Sequence, residues 1–310
     1  MAATFNDIVQ RVKQQLLGYT RDQASISYLT QPMTDTDMTF SVDPDTVTAL
    51  SRGLAEIGDE MLLIKKYDRI SGVVTVFGNA SSGRGVESTT ASAHNMGDLV
   101  TADPRYPRAR IKEAINDTIN AMYPHVWVFG EFEFPWQSAR YEYPLPADVE
   151  QVYKVTTNTI GPSAVWFPNQ AWRFNPQAST TLGQVKPTPT PTGKSLQILR
   201  DYITPGRNAR VIYTKSPTTL TLDSDLLTST GFPERYIDII VYGACYRLLP
   251  AYDAGRLQQQ SIESTERAPL VPPGAANNAA RTYLEYYMRR LTEERDRLFE
   301  LYENFITFNS

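Results

Sequence analysis

Near its start the chain places Phe5, Ile8, Val9, Val12 and Leu16 at helical spacing, with Thr4 and Asp7 set three residues apart as a capping pair. This predicts a short amphipathic helix ending near Gly18. So short a helix is marginal alone in water, so its apolar stripe must dock on helices from later in the chain. From about residue 25 to 103 the period becomes that of strands. Residues 59–64 and 72–77 flank the turn-forming Asp68-Arg69-Ile70-Ser71 and predict a hairpin in a small β-barrel. Residues 79–85 are rich in types that tolerate positive φ or bond to local backbone, and read as a flexible loop.

A second helical stripe follows: Ile111, Ala114, Ile115, Thr118, Ile119 and Met122 share a face, Pro107 suits the first turn, and Pro124 stops the helix. From Trp127 to about Ser216 the pattern is β-rich. Aromatics stand at Trp127, Phe129, Phe132, Phe134 and Trp136, and strands are predicted at 151–155, 196–199 and 210–213. The alternating proline and threonine run at 186–193 cannot sit inside a sheet and reads as an extended surface loop.

Helix then returns. Pro233 lies near the start of a stripe formed by Ile237, Ile240, Val241, Ala244 and Leu248. A proline-rich linker at 268–274 precedes a long helix that starts near Asn278 and runs almost to the end. In it Leu284, Met288, Leu291, Arg295, Leu298, Tyr302 and Phe305 alternate fours and threes, the heptad spacing of a seam, with Arg295 interrupting it. Exposed charges four apart, Glu285 with Arg289 and Glu293 with Arg297, contribute only about 0.2–0.5 kcal/mol each. The helix therefore needs a partner surface. Tyr302, Phe305, Ile306 and Phe308 read as surplus to an intramolecular core and as candidates for docking on another protein.

The predicted fold class is α+β: a helical bundle core with an inserted small β-barrel (SH3-like) module and a second β-rich module. Residues 1–24 supply the first bundle helix, 25–103 the inserted barrel, 104–126 a bundle helix, 127–216 the second β module, and 217–310 the closing helices and docking segment.

Composition narrows the function. With 30 basic against 34 acidic side chains, the chain lacks the cationic excess of a protein that grips nucleic acid, although a mildly acidic wall suits DNA that slides past. The single Cys245 lies in an apolar stretch and reads as a buried, inert thiol. No run approaches the roughly 20 apolar residues of a membrane span, and the first residues lack the features of a signal peptide.

Residue patterns for catalysis are missing. His94 and His125 are the only histidines, far apart and in different predicted modules, and no Cys/His spacing suits zinc. There is no Gly-Lys-Ser/Thr phosphate loop and no Gly-x-Ser-x-Gly elbow, and Gly83-Arg84-Gly85 is too short to cradle phosphate. Asp35 with Asp37 and Asp223 with Asp225 read as turn and cap residues rather than paired catalytic or calcium-binding carboxylates. The aromatics from Trp127 to Trp136 have acids between them and no basic stripe beside them, and read as core. No catalytic residue, cofactor or metal is expected, and the chain does not read as an enzyme.

The hairpin around residues 61–77, followed by Arg84, Gly85, Thr89, Ala91, His94, Gly97 and Val100, resembles the small β-module of tailed-phage connector proteins. There Gly85 and Gly97 would permit tight reversals, Thr89 would cap a short helical turn, and His94 would tie that turn to the barrel. The order of elements, with Ala121-Met122-Tyr123-Pro124-His125-Val126-Trp127 closing a helix, is similar to that of head-to-tail adaptors (connector or neck proteins) of tailed bacteriophages. Two sizeable β insertions distinguish this chain from compact adaptors.

The resemblance implies a structural virion protein at the head–tail junction, assembled in the bacterial cytoplasm. About twelve copies would close head to tail into a ring. The ring would sit between the portal and the next neck, stopper or tail protein, and double-stranded DNA would pass through its channel without specific binding. The alternative is a tail or baseplate module that binds host carbohydrate through the aromatic β region.

Overall fold

A computed structural model of the chain describes residues 2–17, 26–44, 50–137, 142–159, 165–169, 171–178, 191–198, 207–260 and 275–302. Helix α1 (Phe5–Leu17) starts as its sequence dictates. The Asp7 amide donates to Thr4 Oγ1 at 3.1 Å and the Thr4 amide to Asp7 Oδ2 at 3.0 Å, satisfying two helix-end donors reciprocally. Phe5, Ile8, Val9 and Val12 are buried on one face.

Five short strands follow: β1 (Ile26–Tyr28), β2 (Thr39–Ser41), β3 (Gly53–Ile57), β4 (Glu60–Tyr67) and β5 (Val73–Val76). One helical turn, α2 (Ala80–Gly83), then leads to β6 (Leu99–Ala102). The strands pair antiparallel in the order β1-β6-β3-β4-β5-β2. This sheet curls into a half-barrel. Just past its outer strands Leu29 and Val42 form a bridge, and the Thr30 amide donates to the Ser41 carbonyl at 2.9 Å. Leu29, Phe40, Val42, Ile57, Leu62, Ile64, Val74, Val76 and Val100 fill the interior. A bulge between Ile64 and Lys66 breaks the strand alternation, so that Lys65 and Lys66 are both exposed.

The segment 79–85, expected to be a flexible loop, contains α2 instead. Asn79 and Ser82 satisfy each other there: the Asn79 amide donates to Ser82 Oγ at 3.0 Å, and Ser82 Oγ donates to Asn79 Oδ1 at 3.0 Å. Gly83 has to lack a side chain, because a Cβ would lie 1.8 Å from the Phe77 carbonyl oxygen.

Helix α3 (Arg108–Met122) buries Ile111, Ala114, Ile115, Thr118, Ile119 and Met122, the face read from the sequence, and starts directly after Pro107. The second β region contains β7 (Val128–Pro135), β8 (Glu142–Pro144), β9 (Gln151–Asn158), β10 (Trp166–Asn169), β11 (Trp172–Asn175), β12 (Ser195–Ile198) and β13 (Asn208–Lys215). They form one sheet in the order β10-β9-β13-β7 and another in the order β11-β12-β8. Phe134, Tyr143, Val155, Leu196, Ile198 and Val211 from both sheets share a core. Of the proline-rich run, residues 186–190 lie outside the described residues.

Helix α4 (Ile237–Gln260) buries more than the predicted stripe. Ile239, Cys245 and Leu249 are buried along with Ile237, Ile240, Val241 and Ala244. The reason is that α4 packs against α1, α3 and α5 (Ala275–Leu301) at once, and a helix surrounded by others is apolar on most sides. Where α3 and α4 cross, a Cβ on Gly243 would lie 2.2 Å from Thr118 Cγ2, so glycine sets their closest approach. The linker at 268–274 lies outside the described residues.

The seam of α5 departs from the expected heptad. Leu291 and Leu298 are buried as expected, but Leu284 and Met288 are 39% and 47% exposed, and Ala280, Tyr287 and Glu294 complete the buried face. Glu294, not Arg295, is the polar member of the seam, and it is neutralised by Arg235, whose Nε lies 2.7 Å from Glu294 Oε2. The fold is mixed α+β, with residues from α1, α3, α4 and α5 sharing one core.

Candidate functional site

Two places gather the residues singled out in the sequence. The first is a buried polar centre on the half-barrel, organised by Glu60, the first residue of β4. Arg84 donates to both carboxylate oxygens, Nε to Oε1 at 2.6 Å and Nη2 to Oε2 at 2.9 Å. The remaining guanidinium protons go to the carbonyls of Thr34, Asp37 and Ser92, each at 2.8 Å, so all five donors of a buried arginine are used. Glu60 also accepts from the Gly85 amide at 3.2 Å, the Ser92 amide at 3.0 Å and His94 Nε2 at 2.8 Å. Facing an ionised carboxylate, which only accepts, Nε2 carries the proton.

This arrangement is chemically closed. A carboxylate that already accepts five bonds has no oxygen left to take a proton from a substrate, so the centre clamps the 84–94 segment and the chain at 34–37 onto β4. Burial pushes the Glu60 carboxyl upward, but the bonds from Arg84, His94 and Ser92 outweigh this and hold it down at about 2, from an ordinary value of 4.5. A carboxyl depressed in the folded state stabilises the fold above its unfolded value. That stability is lost as pH falls from about 4.5 towards about 2. Urea midpoints measured at descending pH are expected to fall across this window, and to fall less steeply in a Glu60→Gln variant.

Of the predicted motif, Arg84, Gly85 and His94 thus meet at one point. Gly85, at φ 58°, is required twice over, since a Cβ would also lie 2.8 Å from the Ala91 amide nitrogen. Thr89 does not cap a helical turn. Its hydroxyl accepts from the Met61 amide at 3.0 Å and donates to the Val86 carbonyl at 2.7 Å, which ties the segment to β4. Gly97, at φ 90°, stands apart in the turn before β6 and donates its amide to the Leu29 carbonyl at 2.8 Å. Glu60 itself was missed in the sequence. The available signal was Arg84, which lies between two glycines and requires a counter-ion if buried.

The half-barrel is joined to the helices by a second set of charges. Arg108 at the start of α3 reaches Asp59 at 2.8 Å and Asp223 at 2.7 Å, and its amide donates to Glu56 Oε2 at 2.7 Å. Lys112, one turn on, pairs with Asp59 and with Asp223, the latter at 2.6 Å. Asp223 and Asp225 therefore have separate duties, because Asp225 Oδ2 accepts from the Thr221 and Leu222 amides, both at 2.8 Å. Asp37 likewise closes a local turn by accepting from the Thr34 amide at 2.8 Å. Cys245 is buried in the helical core, where burial pushes its thiol up to about 12. Among the described residues no cluster of His, Cys, Asp and Glu has the arrangement of a metal site, and no helix is long and apolar enough to cross a membrane.

The second place is an aromatic cleft of about 260 Å³ at the end of α5, lined in part by Tyr123, Trp127, Tyr153, Phe299 and Tyr302. The aromatics from Trp127 to Trp136 do not form one surface. Phe134 and Trp136 are buried in the sheet core, while Trp127 packs against the helical core and edge-on to Phe299 at 5.4 Å. Tyr302, read as surplus, instead packs on Phe129 at 4.6 Å and Tyr153 at 5.9 Å, and so fastens α5 to the second β region. Phe305, Ile306 and Phe308 lie outside the described residues.

No curated protein matches the chain. The family model of the SU10 adaptor protein matches residues 88–297. That span begins inside the clamped segment and runs through α3, both sheets of the second β region, α4 and nearly all of α5. With more than half of its length matched, the chain belongs to the SU10 adaptor protein family, a family of phage head-to-tail adaptors.

Proposed function

We propose that the protein forms a ring between the portal and the next neck, stopper or tail protein and lines the channel through which double-stranded DNA leaves the head. The family match over 88–297 is the observation that carries this reading. In it, α1, α3, α4 and α5 form a helical bundle that makes the body of the ring. The half-barrel is an SH3-like insertion at 25–103, and the second β module spans 127–216. Three separate apolar clusters, one in each of these parts, support that division. The helices 1–24, 104–126 and 217–310 belong to the bundle, with the end of the chain reaching the portal. Copies contact one another head to tail through unlike surfaces, the contact type that closes into a ring of about twelve subunits. The role is mechanical: two partners are aligned on one axis and no bond is broken. Assembly takes place in the host cytoplasm.

Electron microscopy of the purified chain mixed with its portal tests this. Closed rings seated on the portal are expected. Truncation is best placed after Tyr302, because Leu298 is buried and Tyr302 is packed, so an earlier cut would damage the core itself. Loss of seating after that truncation supports portal docking by Phe305, Ile306 and Phe308. A chain that stays monomeric and ignores the portal overturns the adaptor reading.

A further inference from the structure

One end of the half-barrel carries cations that the rest of the molecule leaves bare. Arg52 precedes β3, whose first residue pairs with Ile64, so it stands beside Lys65. Lys66 is opposite Thr75, and Arg69 lies in the β4–β5 turn. All four are exposed. None has an acidic partner within 4.0 Å among the described residues; the exposed Arg11, Arg173, Arg281 and Arg297 also lack one, but here four such cations stand together on one hairpin end.

Acids outnumber bases along the chain, so the clustering of four unpaired cations does not come from a shortage of counter-charges. The bulge at Ile64–Lys66 increases the effect, since strict alternation would have turned one of the two lysines inward. Asp68, the acid of the turn, keeps its negative charge and interacts with Lys66 at longer range, but forms no ion pair with it. Its Oδ1 accepts from the Ile70 amide at 3.1 Å and its Oδ2 from Ser71 Oγ at 2.9 Å, which also fixes the shape of the turn. Ile70 at the apex is 95% exposed, so the tip is open to solvent.

We propose that this basic hairpin end binds the phosphate backbone of double-stranded DNA without regard to sequence. The choice of DNA over an acidic protein rests on the adaptor reading, in which DNA passes close by. It is also supported by the form of the cluster. Four exposed cations on flexible stems suit a repeating line of phosphates better than one shaped acidic group. Elsewhere the chain is net acidic and repels DNA, so contact is confined to the tip. A ring would hold the duplex off its wall at these points and still let it slide.

The test uses the full-length protein and a short, mixed-sequence, fluorescently labelled duplex, with anisotropy followed as salt is raised. Binding at low salt is expected, with a log–log salt slope of about −3.6 for four phosphate contacts. In the triple variant Lys65→Glu, Lys66→Glu, Arg69→Glu, affinity should drop at least tenfold and the slope should shrink by about 3. The control Arg281→Glu, Arg289→Glu, on the exposed face of α5, should change affinity less than threefold.

No binding by the wild type overturns the proposal, as does equal loss in the two variants. The triple variant is also mixed with the portal. Retained rings together with lost DNA affinity support the proposal. Lost rings with unchanged DNA affinity overturn it, assigning the hairpin to a protein contact and leaving the adaptor reading in place. Failure of the wild type to form rings counts against the adaptor reading alone, since the DNA titration does not depend on assembly.

Discussion

Glu60→Gln is expected to destabilise the half-barrel by about 3–5 kcal/mol, the cost of leaving one partner of a buried ion pair uncompensated. The side chains of Glu60 and Arg84 are both fully shielded from solvent, so water cannot replace the missing charge. Gln preserves the size of the side chain but turns one acceptor into a donor that faces Arg84, Ser92 or His94. Chemical denaturation should show an early transition reported by the half-barrel, with the helical transition less affected. Arg84→Met should cost a similar amount for the converse reason. The double variant should recover much of the loss, because the two changes together remove the stranded charge rather than add a second one. If both single variants unfold at the wild-type midpoint, Glu60 does not clamp the 84–94 segment.

The second large effect is expected where α3 and α4 cross. Gly243→Leu should destabilise the helical core by about 3 kcal/mol, because Thr118, against which the new side chain would press, is fully buried and cannot swing away. Its hydroxyl is also held at 2.7 Å by the Ala114 carbonyl. Gly243→Ala is the sharper test. Alanine favours helix over glycine by about 1 kcal/mol, so a net loss of stability can only come from the close approach. Thr118→Ser removes the obstructing Cγ2 while keeping the hydroxyl. Paired with Gly243→Ala it should restore stability, and a thermal melt of the four variants checks the coupling. Additive effects would place the contact elsewhere.

Helices were legible in the sequence where one face alone is buried. α3 shows its stripe between Pro107 and Pro124, and α1 shows both stripe and cap. α4 was read too narrowly, because periodicity weakens when three neighbours surround a helix. In α5 Leu291 and Leu298 lie in the expected seam, but the large apolar Leu284 and Met288 were read in place of Ala280 and Tyr287. The true seam includes a glutamate, acceptable only because Arg235, on a distant part of the chain, neutralises it. Strand pairing is likewise a property of distant segments: β1 meets β6 and β7 meets β13, and nothing local encodes either partner. The polar centre was half legible. Arg84, Gly85 and His94 stood out by type and spacing, whereas Glu60 was hidden in a strand whose next residues are apolar and gave no sign that its side chain points inward.

The helical core is assembled from the two extremes of the chain. Tyr283 Oη donates to the Gln15 carbonyl across 268 residues of sequence, and α1 lies against α4. During synthesis α1 can meet α3 before the second β region emerges, whereas its contacts with α4 and α5 wait until those helices leave the ribosome. The helical core closes only when α5 is released. If the chain assembles as proposed, surfaces built on this core are presented only once α5 has left the ribosome, and chains that have not reached α5 are kept from assembling.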